Sequence, residues 1–246
     1  MSLRVALTPG ELHPDEVAGA SVFVIDILRA TTTMCAALHH GAEAIIPVTG
    51  IDEARDVAGR FENEHPVLAG ERGADPIPGF DLGNSPGEMT PAAVAGRLLV
   101  MTTTNGTKAL SAVAGATSVH PLAAVNFSVA VGRAQSVWQD GGSLVVVCAG
   151  VVGRPSREDA YCAGRFGIAV VGSAGEVATS DAARWCLDLV EQSGDDWYAG
   201  LMASTAGQKL SEHGYADDVR VAGRQDLHPV LPSLNDGRLT LTPSIL

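Results

Sequence analysis

The 246-residue sequence predicts a layered α/β/α fold with largely parallel strands, organised as one unit over 1–246 or as two lobes. Two observations predict this. Three stretches repeat one order: an apolar β-branched run, a polar or glycine-rich loop, then a helical pattern. Continuous apolar strands followed by helices are what a parallel sheet covered on both faces requires. The second observation is composition. Hydrophobic residues make up 46% but aromatics only 4%, so the core must be built from Val, Ala, Leu and Ile, and 28 glycines call for many tight turns between short elements.

The first unit is SVFVIDILRATTTMCAALHHGA, with Val22 to Ile25 as strand and Thr32 to His40 as helix. A weaker strand, HPVLAGE, precedes the long segment RGADPIPGFDLGNSPGEMTP, whose prolines and glycines forbid regular structure, so it is ordered by tertiary contacts or acts as a lid over 72–91. The second unit is RLLVMTTTNGTKALSAVAGA, with Leu98 to Met101 as strand and a helix after Asn105. SVAVGRAQSVWQDGGS reads as a helix ending at Gly141-Gly142, and a lobe boundary is placed near 128–143. The third unit runs LVVVCAGVVGRPSRED, with Leu144 to Val147 as strand and a helix from Arg157 to Phe166. In EVATSDAARWCLDLVEQSGDD, Ser180 reads as an N-cap and Ala183, Cys186, Leu187 and Val190 as one apolar face. The tail predicts two short strands around Asn235-Asp236-Gly237.

Ligands in α/β sheets sit beyond the carboxyl ends of the strands. The residues that fall there are Asp26, Arg29 and Thr31 to Thr33, Glu71 and Arg72, Thr102 to Asn105, and the run from Arg154 to Asp159. The fold therefore predicts one sheet edge carrying carboxylates, arginines and hydroxyls. Asp26 is the strongest candidate, because a charge inside VFVIDIL is costly unless it is paired or binds a metal. The alternatives are an ion pair with Arg29 or a cap on the following helix. Thr32, Thr103 and Thr104, with helix N–H groups and the Asn105-Gly106 turn, could cradle a phosphate, although threonine is also an ordinary cap and strand residue. Asp81 and Asn84 are either turn formers or site residues. Ser156 and Asp159 have the form of a capping box, which leaves Glu158 without a structural explanation.

Several function classes are excluded. A formal net charge of −12 argues against nucleic acid, whose phosphates need a basic face, but not against a small anionic substrate held by a few local arginines. No apolar run is long enough to span a bilayer and the N-terminus lacks a signal-peptide core, so a soluble cytoplasmic protein is expected. Cys35, Cys148, Cys162 and Cys186 show no metal spacing and lie in or beside apolar runs, as in a reducing compartment. Cys148 and Arg154 have the Cys-x5-Arg spacing of thiol phosphatases, but Cys148 follows Val-Val-Val, where a buried thiol is the default, and Pro155 supplies no N–H to an anion-binding loop. The histidines form no H-x-H or H-E-x-x-H motif, so no zinc site is predicted; an oxygen-rich set suits Mg²⁺.

VFVIDILRATTT, GERGADPIPGFDLGNSP, TTTNGTKAL and VVVCAGVVGRPSREDAYCAG resemble, in that order, the blocks of the 2-phosphosulfolactate phosphatase (ComB-like) family. The match runs from about Ala20 to Gly164, with a looser tail through VRVAGRQDLHPVLP, and departs from the family pattern at Pro155 and Arg157. The resemblance implies a Mg²⁺-dependent phosphatase hydrolysing 2-phospho-3-sulfolactate to sulfolactate and phosphate, a step of coenzyme M biosynthesis. It carries over Asp26, Arg29, Glu71, Arg72, Asp81, Asn84, Thr103 to Gly106, Glu158 and Asp159. Mg²⁺ is then expected on carboxylates from among Asp26, Glu71, Glu158 and Asp159, with Arg72 or Arg157 facing the sulfonate or carboxylate of the substrate. The alternatives are a phosphatase of another small phosphorylated acid and a non-catalytic small-anion-binding protein. Monomer and homo-oligomer are both compatible with the sequence.

Overall fold

All three strand–loop–helix units form, but they are divided between two sheets rather than sharing one. The computed structural model describes residues 2–172 and 180–241. The first sheet holds β1 (Ser2–Ala6), β2 (Ser21–Ile25), β7 (Ser118–Leu122) and β8 (Ser143–Cys148), all parallel, in the order β1-β8-β2-β7. The second holds β3 (Ala44–Pro47), β4 (Val67–Arg72), β5 (Asp75–Pro76), β6 (Leu98–Thr102), β9 (Pro232–Asn235) and β10 (Arg238–Leu241), in the order β5-β4-β6-β3-β10-β9. Its centre, β4-β6-β3, is parallel, and the outer strands β5, β10 and β9 are antiparallel. The hairpin around Asp236-Gly237 matches the predicted tail; residues 242–246 lie outside the described residues.

The helices are α1 (Pro14–Val17), α2 (Ala30–His39), α3 (Ile51–Arg60), α4 (Pro91–Val94), α5 (Gly106–Ala112), α6 (Phe127–Gln139), α7 (Arg157–Val171), α8 (Asp181–Ser193), α9 (Trp197–Met202), α10 (Thr205–Glu212) and α11 (Ala216–Ala222). Alternation along β2 explains the layering. Phe23 and Ile25 face a core completed by Phe127, Tyr161, Phe166 and Trp197 from α6, α7 and α9, whereas Val22 and Val24 face Met34, Leu38, Ile45, Leu99 and Leu110. Both faces of β2 are thus buried, as its unbroken apolar run requires. Helices α2 and α5 pack against strands of both sheets. Helix α2 is buried from Ala30 to Leu38, which its apolar and threonine composition on all sides permits. Helix α3 covers the opposite face of the second sheet through Ala54 against Val100.

The 128–143 segment forms most of α6 and the turn into β8, and packs on β7, β8 and α7. Helix α8 starts as predicted, with Ser180 Oγ accepting the Ala183 N–H at 3.2 Å. Its buried face is Ala183, Cys186 and Leu189, with Leu187 and Val190 half-buried at the margin. The EVAT part of that stretch lies outside the described residues. The long segment after β4 is tied down: Asp81 accepts the Leu68 N–H, Thr33 donates to the Asn84 carbonyl, and Ser85 donates to Asp218. All four cysteines are free and buried, and among the described residues no helix is long and apolar enough to cross a membrane.

Helices α7 and α8 meet at Gly164, where a Cβ would stand 2.4 Å from the Cys186 carbonyl oxygen. The obstacle is backbone, so relief requires the helices to separate. Gly164→Ala should cost about 3 kcal/mol of stability, read as a lower urea midpoint with the unfolding slope unchanged.

Candidate active site

The carboxyl ends of the two sheets converge. Asp26 follows the end of β2, where Ile25 pairs with Cys148 of β8 and Leu122 of β7. Glu71 lies one residue past the Gly70–Thr102 pair of β4 and β6. The loops after β2 and β8 therefore meet the ends of β4 and β6 across a cavity of about 740 Å³. Asp26, Arg29, Glu71, Asn84, Thr104, Asn105, Arg157 and Glu158 line it, all foreseen from sequence. The expectation of a single sheet edge is corrected: the edge is made by two sheets, because local apolar runs do not encode which strands pair.

Asp26 is buried between its neighbours. Its Oδ1 accepts the Ala30 N–H at a long 3.4 Å, and Gly106 N–H also points at the carboxylate. Burial, reinforced by the charges of Glu71 and Glu158, pushes its pKa up to about 7. Glycine is required at 106, since a Cβ there would lie 2.7 Å from Asp26 Oδ2 and 2.6 Å from Ala30 Cβ. Glu71 is held by the Thr104 N–H at 2.7 Å, the Ala74 N–H at 3.0 Å and the Thr104 hydroxyl at 3.1 Å. Glu158 is pushed above the usual carboxylate range by burial, with its own N–H and the hydroxyls of Ser204 and Ser156 beside it favouring the charged form.

Arg29 does not pair with Asp26. Its guanidinium donates to Asp218 at 2.7 Å and to the Ala74 carbonyl at 2.9 Å, and lies 4.3 Å from the centre of the Tyr215 ring. Asp218 in turn accepts the Ser85 hydroxyl at 2.6 Å. Arg29 is thereby immobilised with its remaining edge on the cavity. Asn84 reaches the same space, and its Oδ1 is buried without a partner among the described residues.

The other sequence candidates stand behind the wall. Both oxygens of Asp159 are taken, by the Ile27 N–H at 3.0 Å and the Gly150 N–H at 3.1 Å, so this carboxylate staples the loop after β2 to the loop after β8. Burial and the charges of Glu158 and Asp26 push its pKa up, while the Ile27 N–H and the Ser156 hydroxyl oppose the rise. Ser156 is the N-cap of α7 but forms no capping hydrogen bond, so the expected capping box is replaced by this staple. Thr32 donates to the Ile27 carbonyl and Thr103 accepts the Thr107 N–H, both bonds internal to the scaffold. Arg72 donates to the Glu71 and Thr49 carbonyls and the Thr102 hydroxyl, so its guanidinium is committed away from the cavity. Asp81 caps the Leu68 N–H and is exposed. Cys148 is buried in the core, where burial and the Asp159 charge hold its thiol protonated, which removes the thiol-phosphatase reading.

Sequence reasoning missed Lys209 and His213 of α10 and its following turn, and placed Arg154 at the sheet edge without giving it a role; all three line the cavity. It also missed Asp218. The only local signal was the need of a buried Arg29 for a counter-charge. Asp26, Glu71 and Glu158 offer oxygen donors only, the chemistry of a hard divalent cation. The strongest charge acting on Asp26 is that of Glu71, so this pair is where such a cation would relieve most repulsion.

A profile of the family described as 2-phosphosulpholactate phosphatase matches residues 6–237. The chain belongs to this family. Among its relatives, a probable 2-phosphosulfolactate phosphatase of Deinococcus radiodurans is 40% identical over 238 residues, covering 96% of this chain and 95% of the relative. A protein of the same description from Thermus thermophilus is 40% identical over 223 residues, covering 89% and 88%. One from Symbiobacterium thermophilum is 36% identical over 227 residues, covering 92% and 96%. The match extends well past Gly164, so the C-terminal helices that carry Lys209 and Asp218 belong to the family unit as well.

The raised pKa of Asp26 has a sign that can be checked. The folded protein holds this proton up to about pH 7, whereas the unfolded chain releases it near 4. The stability it contributes is therefore complete below about pH 4 and lost as pH rises through 7. In thermal unfolding with EDTA, Asp26→Asn should gain on the parent protein steadily from pH 4 to 7 and no further above it.

Proposed function

We propose that this chain is a Mg²⁺-dependent phosphatase that hydrolyses 2-phospho-3-sulfolactate to 3-sulfolactate and phosphate, a reaction of the coenzyme M biosynthesis type carried out in the cytoplasm. One observation carries the reading: in a protein of net charge −12, a single cavity sets buried Asp26, Glu71 and Glu158 against Arg29, Arg154, Arg157 and Lys209. Carboxylates facing cations in one pocket suit a polyanionic ester whose phosphoryl group shares a divalent ion with the protein. Family membership and the description of the relatives support phosphoric monoester hydrolysis and name the ester.

Asp26 and Glu71 would hold Mg²⁺, which when bound neutralises charge on the phosphoryl oxygens. Arg29, fixed by Asp218, Ala74 and Tyr215, presents its free N–H groups to the same oxygens without reorganising. Glu158 is the carboxylate left to accept the proton of the attacking water. Its burial raises its basicity in the direction that task needs. Asp159 is a positioning residue that keeps the loops of Asp26 and Glu158 in register. Arg154, Arg157 and Lys209 face the substrate's carboxylate and sulfonate, and the Asn84 amide, whose Oδ1 has no partner among the described residues, gives the site a neutral polar contact.

Phosphate release from 2-phosphosulfolactate and a panel of small phosphate esters tests the proposal. Asp26→Asn should reduce turnover roughly 10³-fold and weaken Mg²⁺ activation. Glu158→Gln should lower kcat at unchanged Mg²⁺ dependence, Lys209→Ala should chiefly raise KM, and Cys148→Ala should retain activity. An ester lacking the sulfonate should lose about one to two decades in kcat/KM, as expected for one missing charge-assisted contact. Faster hydrolysis of such an ester would reassign the substrate. Tight binding of phosphate or sulfolactate with no hydrolysis of any ester would make the protein an anion-binding module instead.

A further inference from the structure

Outside this cavity, His39 at the end of α2, His40 just beyond it and His228 in the loop after α11 form a cluster. One ligating nitrogen from each lies within 4.8 Å of the other two, and no other group of this kind occurs among the described residues. The rings are 4.9 to 5.2 Å apart and mutually inclined by 44 to 74°, so their edges converge rather than stack.

Two details point to a ligand. His228 is only 6% exposed, and its Nδ1 has no hydrogen-bond partner among the described residues. A buried imidazole nitrogen without a partner is costly, and a metal ion is one of the few groups that satisfies it. His40 Nδ1 faces the Met89 carbonyl oxygen. That contact places the ring proton on Nδ1 and leaves the Nε2 lone pair free, the arrangement by which a carbonyl orients a metal-bound histidine. Burial holds His228 down at about 4 and also lowers His39, so both rings offer neutral imidazole at physiological pH.

We propose that His39, His40 and His228 form a site for a divalent transition metal ion, zinc in the first instance, separate from the carboxylate site. Three imidazoles with no carboxylate select zinc or its late first-row neighbours over Mg²⁺. Tetrahedral zinc at about 2.0–2.1 Å from each nitrogen sets the nitrogens roughly 3.4 Å apart, so the rings need to draw in by about 1 Å or a little more. His39, exposed at the end of its helix, has the freedom to do so, and its exposure leaves the fourth position to water. The loop of His228 is already fixed, with Asp226 N–H and His228 N–H donating to the carbonyls of Ala124 and Val125 at 2.9 and 2.8 Å. The ten residues of α2 separate the cluster from the Arg29 end by roughly 15 Å. A bound ion would join the end of α2, the Met89 end of the long segment and the loop after α11.

The test uses the metal-stripped full-length protein at neutral pH, with millimolar Mg²⁺ present to compete at the carboxylate site. Cobalt(II) should bind one equivalent with the intense visible bands of four-coordinate geometry. Zinc should displace it with a dissociation constant on the order of 10 µM or below. At about 100 times that constant, zinc should raise Tm by several degrees. His39→Ala, at an exposed position that leaves the core intact, should abolish the cobalt bands and the zinc-dependent rise while phosphate-ester hydrolysis in Mg²⁺ stays unchanged. His228→Gln should show the same losses. Absence of saturable zinc or cobalt binding, or binding of equal stoichiometry and spectrum in His39→Ala, would overturn the proposal.

Discussion

Like charges buried together at the meeting of two sheets are the constraint on which the rest of this structure depends. Asp26, Glu71, Glu158 and Asp159 are each less than a tenth exposed. Carboxylates removed from water in this way destabilise the fold unless hydrogen bonds, protons or cations compensate them. The chain compensates chiefly with backbone N–H groups, joined by the Thr104 hydroxyl at Glu71 and the Ser204 and Ser156 hydroxyls beside Glu158. N–H groups of Ala30, Thr104, Ala74, Ile27 and Gly150 are aimed at Asp26, Glu71 and Asp159, and every one belongs to a loop or helix start at a strand end. The threonines at the same strand ends hold those loops in shape, which explains their number better than direct contact with substrate does.

The compensation is incomplete by design of the cavity side. Asp26 keeps a raised pKa despite its N–H partners, and Glu158 likewise, so the pocket retains a capacity for positive charge that no protein group satisfies. Arg29 could have satisfied it but is drawn away by Asp218 and Tyr215. That diversion is the main consequence of the C-terminal helices. By neutralising Arg29 from behind, α11 keeps the arginine from collapsing onto Asp26 and leaves room for an ion and an anion between them. The same helices bring Lys209 to the wall. A segment with little recognisable motif thus controls both the free charge of the site and its outer recognition surface.

The sequence made the local elements legible, because apolar runs, glycine turns and caps report on nearest neighbours. It made Asp26 legible for the same reason: a charge within VFVIDIL has to be explained. It did not show that β2 and β8 lie in one sheet and β4 and β6 in another, since strand pairing depends on packing across the whole chain. Arg72 and Asp159 looked like site residues because they sit at strand or helix ends, but their partners, Thr102 and the Ile27 and Gly150 N–H groups, are set by tertiary structure. Lys209, Asp218 and the histidine cluster were invisible for the converse reason. Their counterparts, Arg29 for Asp218 and His39 for His228, are 189 residues away in sequence, and no spacing rule spans that distance.

The overall charge then determines how an anion must be recognised. A net charge of −12 repels a polyanionic ester at long range, so the protein cannot draw it in with a general positive field. At physiological ionic strength that repulsion fades beyond about 8 Å, and a few cations gathered at one rim suffice to reverse its sign locally. Arg154 and Lys209 are exposed and Arg157 half-buried at that rim, while Arg29 is buried deeper. Screening weakens the outer contacts and barely touches the inner one. Salt therefore acts on capture of the substrate, through the rim, more than on the phosphoryl group once it rests between Arg29 and the carboxylates.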